Sequence, residues 1–125
     1  MINKNKSRFS YEKFLEIFLL ILVIIVVFAL FDYFFHSLSD EYSVPQRYFK
    51  NKIIYGTLIG LAVYFLTRKF EPLKRALVFS AIVSVLLQLR YFLEGYPLDF
   101  VLLFLGIHFV ILMVLSWVAF RFVKV

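Results

Sequence analysis

The 125-residue chain has no cysteine, so disulfides, thiolate metal sites and thiol relays are all excluded. Acidic residues are scarce, 8 against 14 Lys and Arg, and only 18% of the chain is charged, too little for the surface of a soluble multidomain protein. Glycine is also rare: 4 residues, against 17 Phe and 8 Tyr. That ratio excludes the small-residue build of multidrug-type carriers and describes helices with bulky, lipid-wetted faces. Also absent are an H-E-x-x-H pair, a glycine-rich phosphate loop and any Ser, Lys or Thr in a nucleophile motif, so no enzyme is expected. No repeat or low-complexity tract interrupts the chain. What remains is 63% hydrophobic, with a mean hydropathy of +0.90. One integral membrane domain over residues 1–125 accounts for this.

The stretch 14–35 organises that domain. It runs 22 residues, with Glu16 near its start, Asp32 near its end and no charge between them. As a helix it reaches ~33 Å, enough for a hydrocarbon core of ~30 Å. Lipid leaves no partner for unpaired backbone groups, so the span must be helical and the other spans must be helices packed beside it. Too long and aromatic for a cleavable signal, and without a small-residue cleavage site after it, it reads as a retained first helix.

Punctuation then divides the chain. Ser, Asp and Glu cluster near residues 37–41 ahead of Pro45, Pro72 suits a first helical turn, Gly95 is a helix stop, and Pro97 opens the last helix with Asp99 in its first turn. The expectation is an all-α, antiparallel four-helix membrane bundle with helices near 14–38, 48–67, 72–94 and 97–120. The second helix has only 14 apolar residues, from Ile53 to Leu66, and needs Tyr48, Phe49, Lys50 and Lys52 as a snorkelling extension. Its Gly56 and Gly60 share one face and suit close helix packing.

Orientation follows from the basic residues. The N-terminus (Lys4, Lys6, Arg8, Lys13), the central turn (Arg68, Lys69, Lys74, Arg75) and the tail (Arg121, Lys124) hold 10 of the 14, which predicts both termini on the cytoplasmic side. The net charge of +6 therefore faces anionic lipid headgroups; no nucleic-acid partner is expected. Trp117 and Arg121 read as an interface anchor at the end of the last helix.

Ionisable groups inside spans are rare and are functional candidates by default, which singles out Asp32, His36, Arg90 and His108 as ligand-binding residues. Asp32 and His36 share a face near the outer end of the first helix, and Arg90, four residues before Glu94, lies near the outer end of the third. The functional reading is an outer-half pocket in which Arg90 pairs with Asp32, for an anion, a proton or a lipid headgroup. The plainer one leaves Arg90 on Glu94 or at the interface, with His108 bonded to a neighbouring helix. Asp32, His36 and His108 form the ligand set of a non-haem metal site, and two imidazoles on different helices could hold a haem. However, His108 is expected ~10 Å deeper than His36, so neither a metal nor a cofactor is expected. Ala76, Ser80, Ser84 and Gln88 make a small and polar stripe that should face another helix, and Arg90 lies about 200° around the axis from Gln88.

The order His36, Leu38, Asp40, Pro45-Gln46, Gly56, Tyr64-Phe65, Pro72-Leu73, Arg90 and Pro97-Leu98-Asp99 resembles the phosphate-starvation-inducible E family of small four-span membrane proteins. The resemblance implies the same topology and a link to phosphate stress, and carries over no catalytic residue. Leu89-Arg90-Tyr91 lacks the glycine-rich setting of the Arg-Tyr pair in fluoride channels. The leading functional expectation is a non-enzymatic cell-membrane protein that binds a small ligand or ion, or that packs through its helix faces into a homo-oligomer or membrane complex. The opposing one is an oligomeric small-solute or ion transporter or channel.

Overall fold

Each turn signal ends a helix close to its expected place. The computed structural model describes the backbone of residues 4–123 and the side chains of residues 11–123, and within them the chain forms α1 (Lys4–His36), a 3-10 turn (Asp40–Tyr42), α2 (Arg47–Leu66), α3 (Pro72–Leu93) and α4 (Leu98–Phe122). No strand occurs among the described residues. The largest departure from expectation is the start of α1, ten residues early. The apolar run marks where a membrane would begin, whereas Lys, Arg and Glu before it are good helix formers and continue the helix outward. The side chains of Lys4, Lys6 and Arg8, and all of Lys124, lie outside the described residues.

The helix ends show why the connections can be short. After α3, Gly95 takes a left-handed φ of 87°, and the amides of Gly95 and Tyr96 bond back to Phe92 O (3.2 Å) and Tyr91 O (3.1 Å), which satisfies two end carbonyls. At the end of α2, Thr67 returns its amide and hydroxyl to Val63 O (3.0 and 2.8 Å), and Arg75 of α3 donates Nε to Thr67 O (3.1 Å). Arg75 also lies over the Tyr64 ring, 4.6 Å from its centroid, so this cation ties the α2–α3 turn into the bundle.

Helices α1 and α2, α2 and α3, α3 and α4, and α4 and α1 are the packed pairs, so the four close into a ring. Three of them, over Tyr11–His36, Pro72–Leu93 and Leu98–Phe122, are long and apolar enough to cross a membrane. α2 is 20 residues long but carries Arg47, Lys50 and Lys52 in its first six positions. Large apolar side chains point outward all round the ring, among them Val23, Leu30, Leu58, Val85, Leu102 and Val110. A surface of this kind suits lipid and is not expected facing water.

Inside, one apolar layer holds Ile21, Ile25, Phe28, Val63, Phe79, Val83, Leu112 and Phe120. A second, aromatic layer of Tyr48, Tyr91, Phe100 and Phe104 lies toward the end of the bundle that holds His36. The small face of α2 makes the first layer tight. A Cβ on Gly60 would stand 2.9 Å from both Ile21 Cγ2 and Phe79 Cε2, and one on Gly56 3.2 Å from Ile25 Cγ2. Both glycines thus face helix contacts. The stripe on α3 is likewise buried and meets α4, with Gln88 Nε2 donating to Val101 O (2.9 Å) and Ser80 Oγ 3.6 Å from Met113 Sδ.

Gly60→Ala is expected to destabilise the fold by about 1–3 kcal/mol through overpacking, and Gly56→Ala by less. Gly106, with nothing within 4 Å of a new Cβ, should gain up to ~1 kcal/mol of helix propensity on changing to Ala. Thermal unfolding in detergent would test the order; equal effects at the three positions would contradict the packing described.

Candidate functional site

Four ionisable side chains meet between α1, α2 and α4, at the boundary of the two core layers. Asp32 and His36 lie one turn apart on the buried face of α1, the face that also carries Ile21, Ile25 and Phe28. Lys52 comes from α2 and His108 from α4. Asp32 and His108 are 0% exposed, His36 3% and Lys52 4%.

Asp32 is the hub. Its Oδ2 accepts a hydrogen bond from the Lys52 ammonium, and its Oδ1 accepts from His108 Nε2 at 2.7 Å and lies 3.3 Å from His36 Nε2. His36 Nδ1 is 2.6 Å from Tyr42 O; a carbonyl can only accept, so Nδ1 carries a proton. In the neutral ring Nε2 is then a bare acceptor, 3.4 Å from Lys52 Nζ. His108 uses Nε2–H on the carboxylate, and its Nδ1 has no hydrogen-bond partner among the described residues. Lys52 Nζ thus bonds to Asp32 Oδ2 and faces the bare Nε2 of His36, with His108 Nε2, whose proton is on Asp32, also 3.4 Å away.

Aromatic rings close the centre. Phe104 stacks on His36 with centroids 4.0 Å apart and planes 2° from parallel, Phe28 meets His108 edge-on at 5.0 Å, and the Lys52 ammonium lies 4.9 Å from the Tyr91 centroid and 5.4 Å from that of Phe49. The rings exclude water and offer their faces to the cation. At low local dielectric the ionic bonds are strong and each charge depends on its partner. Above the cluster, a cleft of about 500 Å³ is lined by Glu41, Tyr42, Pro97, Asp99, Phe100 and Leu103; its two charged residues are acidic.

The structure decides between the two readings of Arg90 and corrects two other expectations. Arg90 follows the plainer reading: it does not reach Asp32 but pairs with Glu94 at 3.1 Å, both being 37% exposed, and lies 4.4 Å from the Tyr48 centroid. It falls off the buried stripe of α3, on the side away from Gln88. The counter-charge of Asp32 is Lys52, which is buried and does not snorkel.

The expected depth mismatch between His36 and His108 is also absent. Asp32, His36 and His108 each offer a ligand atom within 4.8 Å of the others. The helix ends are not level, because α4 begins ten residues before His108 whereas α1 ends four residues after Asp32. At ~1.5 Å per residue α4 starts roughly 9 Å farther out. Tyr42 fills that step, its ring 5.4 Å from Phe104, so the connection dips to the level of the cluster. A haem has no slot between the imidazoles, since Phe104 lies flat on one of them.

Lys52 carried a signal in the sequence. It stands four residues before Gly56 and eight before Gly60, on the face of α2 that the glycines turn toward α1. No family model, no curated protein and no solved structure matches this chain. Its class therefore rests on its own geometry: helices and no strands among the described residues, three of the helices long and apolar enough to cross a membrane, and a charged centre buried between α1, α2 and α4.

Removing one partner strands the other charge in an apolar setting. Asp32→Asn and Lys52→Met should each destabilise the protein by about 3–5 kcal/mol, and the double variant by less than the sum. A double-mutant cycle in detergent measures this, with Arg90→Gln additive to Asp32→Asn. Additive losses between residues 32 and 52 would refute the pairing.

Proposed function

We propose that the chain is a non-enzymatic, multi-pass protein of the cell membrane whose working part is a cation-binding centre built from Asp32, His36, His108 and Lys52. The observation that carries this reading is the Lys52 ammonium bonded to Asp32 Oδ2 with the Nε2 atoms of His36 and His108 each 3.4 Å away, which makes the centre a cation site with a built-in occupant. The acidic lining of the cleft above it, Glu41 and Asp99, favours cations over the anions that Arg90 would have served. Beneath it, the core around Ile21, Ile25, Phe28, Leu112 and Phe120 is mostly apolar, and the buried hydroxyls of Ser80, Ser84 and Ser116 bond to carbonyls of their own helices, which favours holding an ion over conducting one.

In the bilayer all four helices span, α2 being carried by its partners, with both termini on the cytoplasmic side and the cleft outside. The basic α2–α3 turn supports that orientation and would meet anionic headgroups. The outward apolar faces leave room for a second copy or another membrane subunit. The resemblance to the phosphate-starvation-inducible E family adds a link to phosphate stress as part of the same proposal.

Two measurements test it. With no native cysteine, Ser43→Cys should react with an impermeant maleimide from outside and Lys69→Cys only from inside; the reverse pattern would overturn the topology. In proteoliposomes, no saturable flux of protons, alkali ions or divalent ions is expected, and measurable flux abolished by Asp32→Asn would replace the binding reading with a transport one.

A further inference from the structure

We propose that the centre also takes a divalent transition-metal ion of the Zn²⁺, Co²⁺ or Fe²⁺ class, bound by an Asp32 carboxylate oxygen and the Nε2 atoms of His36 and His108, in the position now held by the Lys52 ammonium. This rests on the cation-site reading and names the ion class.

The geometry needs little change. Metal bonds of ~2.0–2.2 Å in a tetrahedral site set neighbouring donor atoms ~3.3 Å apart. Asp32 Oδ1 lies 2.7 Å from His108 Nε2 and 3.3 Å from His36 Nε2, and the whole set falls within 4.8 Å. Two imidazoles and one carboxylate suit first-row divalent ions and not Mg²⁺ or Ca²⁺, which favour all-oxygen cages. The neutral His36 ring is already in the ligating form, because Nδ1–H donates to Tyr42 O and leaves Nε2 bare, the outer-shell arrangement that orients metal-binding histidines.

His108 must change tautomer. Its proton moves from Nε2, now on Asp32, to Nδ1, and the lone pair freed at Nε2 forms the metal bond. The change breaks the Nε2–H bond to Asp32 Oδ1, which the metal's bonds to both groups replace, and none at Nδ1, which is buried without a partner among the described residues. The Lys52 ammonium moves off the donor atoms and stays beside the rings of Phe49 and Tyr91, which already flank it. An ion reaches the centre through the cleft, past Glu41 and Asp99, and Tyr42 and Phe100 border both cleft and cluster: Tyr42 O accepts from His36, and the Phe100 ring lies 5.9 Å from it. Lys52 is thus a competitor for the site, and the protein binds metal more weakly than its ligands alone would allow.

Cobalt titration tests this, because Co²⁺ absorbs in the visible when bound by nitrogen and oxygen at low coordination. The protein must be purified without a polyhistidine tag, so that its only two histidines are those of the site. One Co²⁺ per chain is expected, with a visible band displaced by Zn²⁺ and not by Mg²⁺. Lys52→Met should bind at least ~10-fold more tightly, and Asp32→Asn and His108→Gln at least ~10-fold more weakly, the loss that even an outer-shell partner can cause. Arg90→Gln should bind as the wild type does.

Lys52→Gln serves the same purpose if the methionine variant does not fold. No band in the wild type and in a folded Lys52 variant overturns the metal assignment, and so does binding that Asp32→Asn and His108→Gln leave unchanged. If Asp32 and Lys52 still couple in the stability cycle while cobalt fails to bind, the metal inference falls and the ion centre stands. If the cycle is additive as well, both fall.

Discussion

The hydrogen-bonded pair of Asp32 and Lys52 is the constraint on which the arrangement of α1, α2 and α4 depends. A carboxylate with no exposed surface persists only where cations and donors face it, and here an ammonium and an imidazole do. Each of the two requirements points to a different helix. Lys52 fixes the rotation of α2 about its axis, and His108 fixes that of α4. The glycines then follow as a necessity: a short reach from Lys52 to Asp32 requires the backbones of α1 and α2 to approach closely, and Gly56 and Gly60 remove the side chains that would hold them apart.

The aromatic layer follows from the same pair. Small apolar residues around a buried ion pair would leave gaps for water and loosen both bonds. Phe104, Phe28, Phe49 and Tyr91 fill that space with rings whose faces tolerate a cation and whose edges meet the imidazoles. The richness in Phe noted in the sequence thus has two destinations: outward to an apolar surrounding, and inward as the wall of a charged centre.

Most of the fold was legible because its signals are local. Pro72, Gly95, Pro97 and the polar cluster after His36 mark helix ends through backbone chemistry that acts within a turn, and the observed ends of α2, α3 and α4 fall within two residues of those expected. The site was legible by residue type and not by pairing. Asp32, His36, Arg90 and His108 stood out alike as ionisable groups in spans, whereas the pairing of Arg90 with Asp32 rested on depth alone. Depth was the weak step, because it assumed level helix ends, and Tyr42 shows a connection that descends into the bundle. Lys52 was hidden by its neighbours: beside Arg47 and Lys50 it reads as one more interface cation, and only its register with Gly56 and Gly60 points it inward.

Both histidines of the chain lie in one cluster, and its one tryptophan, Trp117, stands on α4 near the opposite end with Arg121 over its ring. The molecule is therefore its own spectroscopic instrument. Every imidazole resonance in a magnetic-resonance spectrum reports on the charged centre without selective labelling. Indole fluorescence reports separately on the far end, so events at the two ends of the bundle can be followed at once in the unmodified protein.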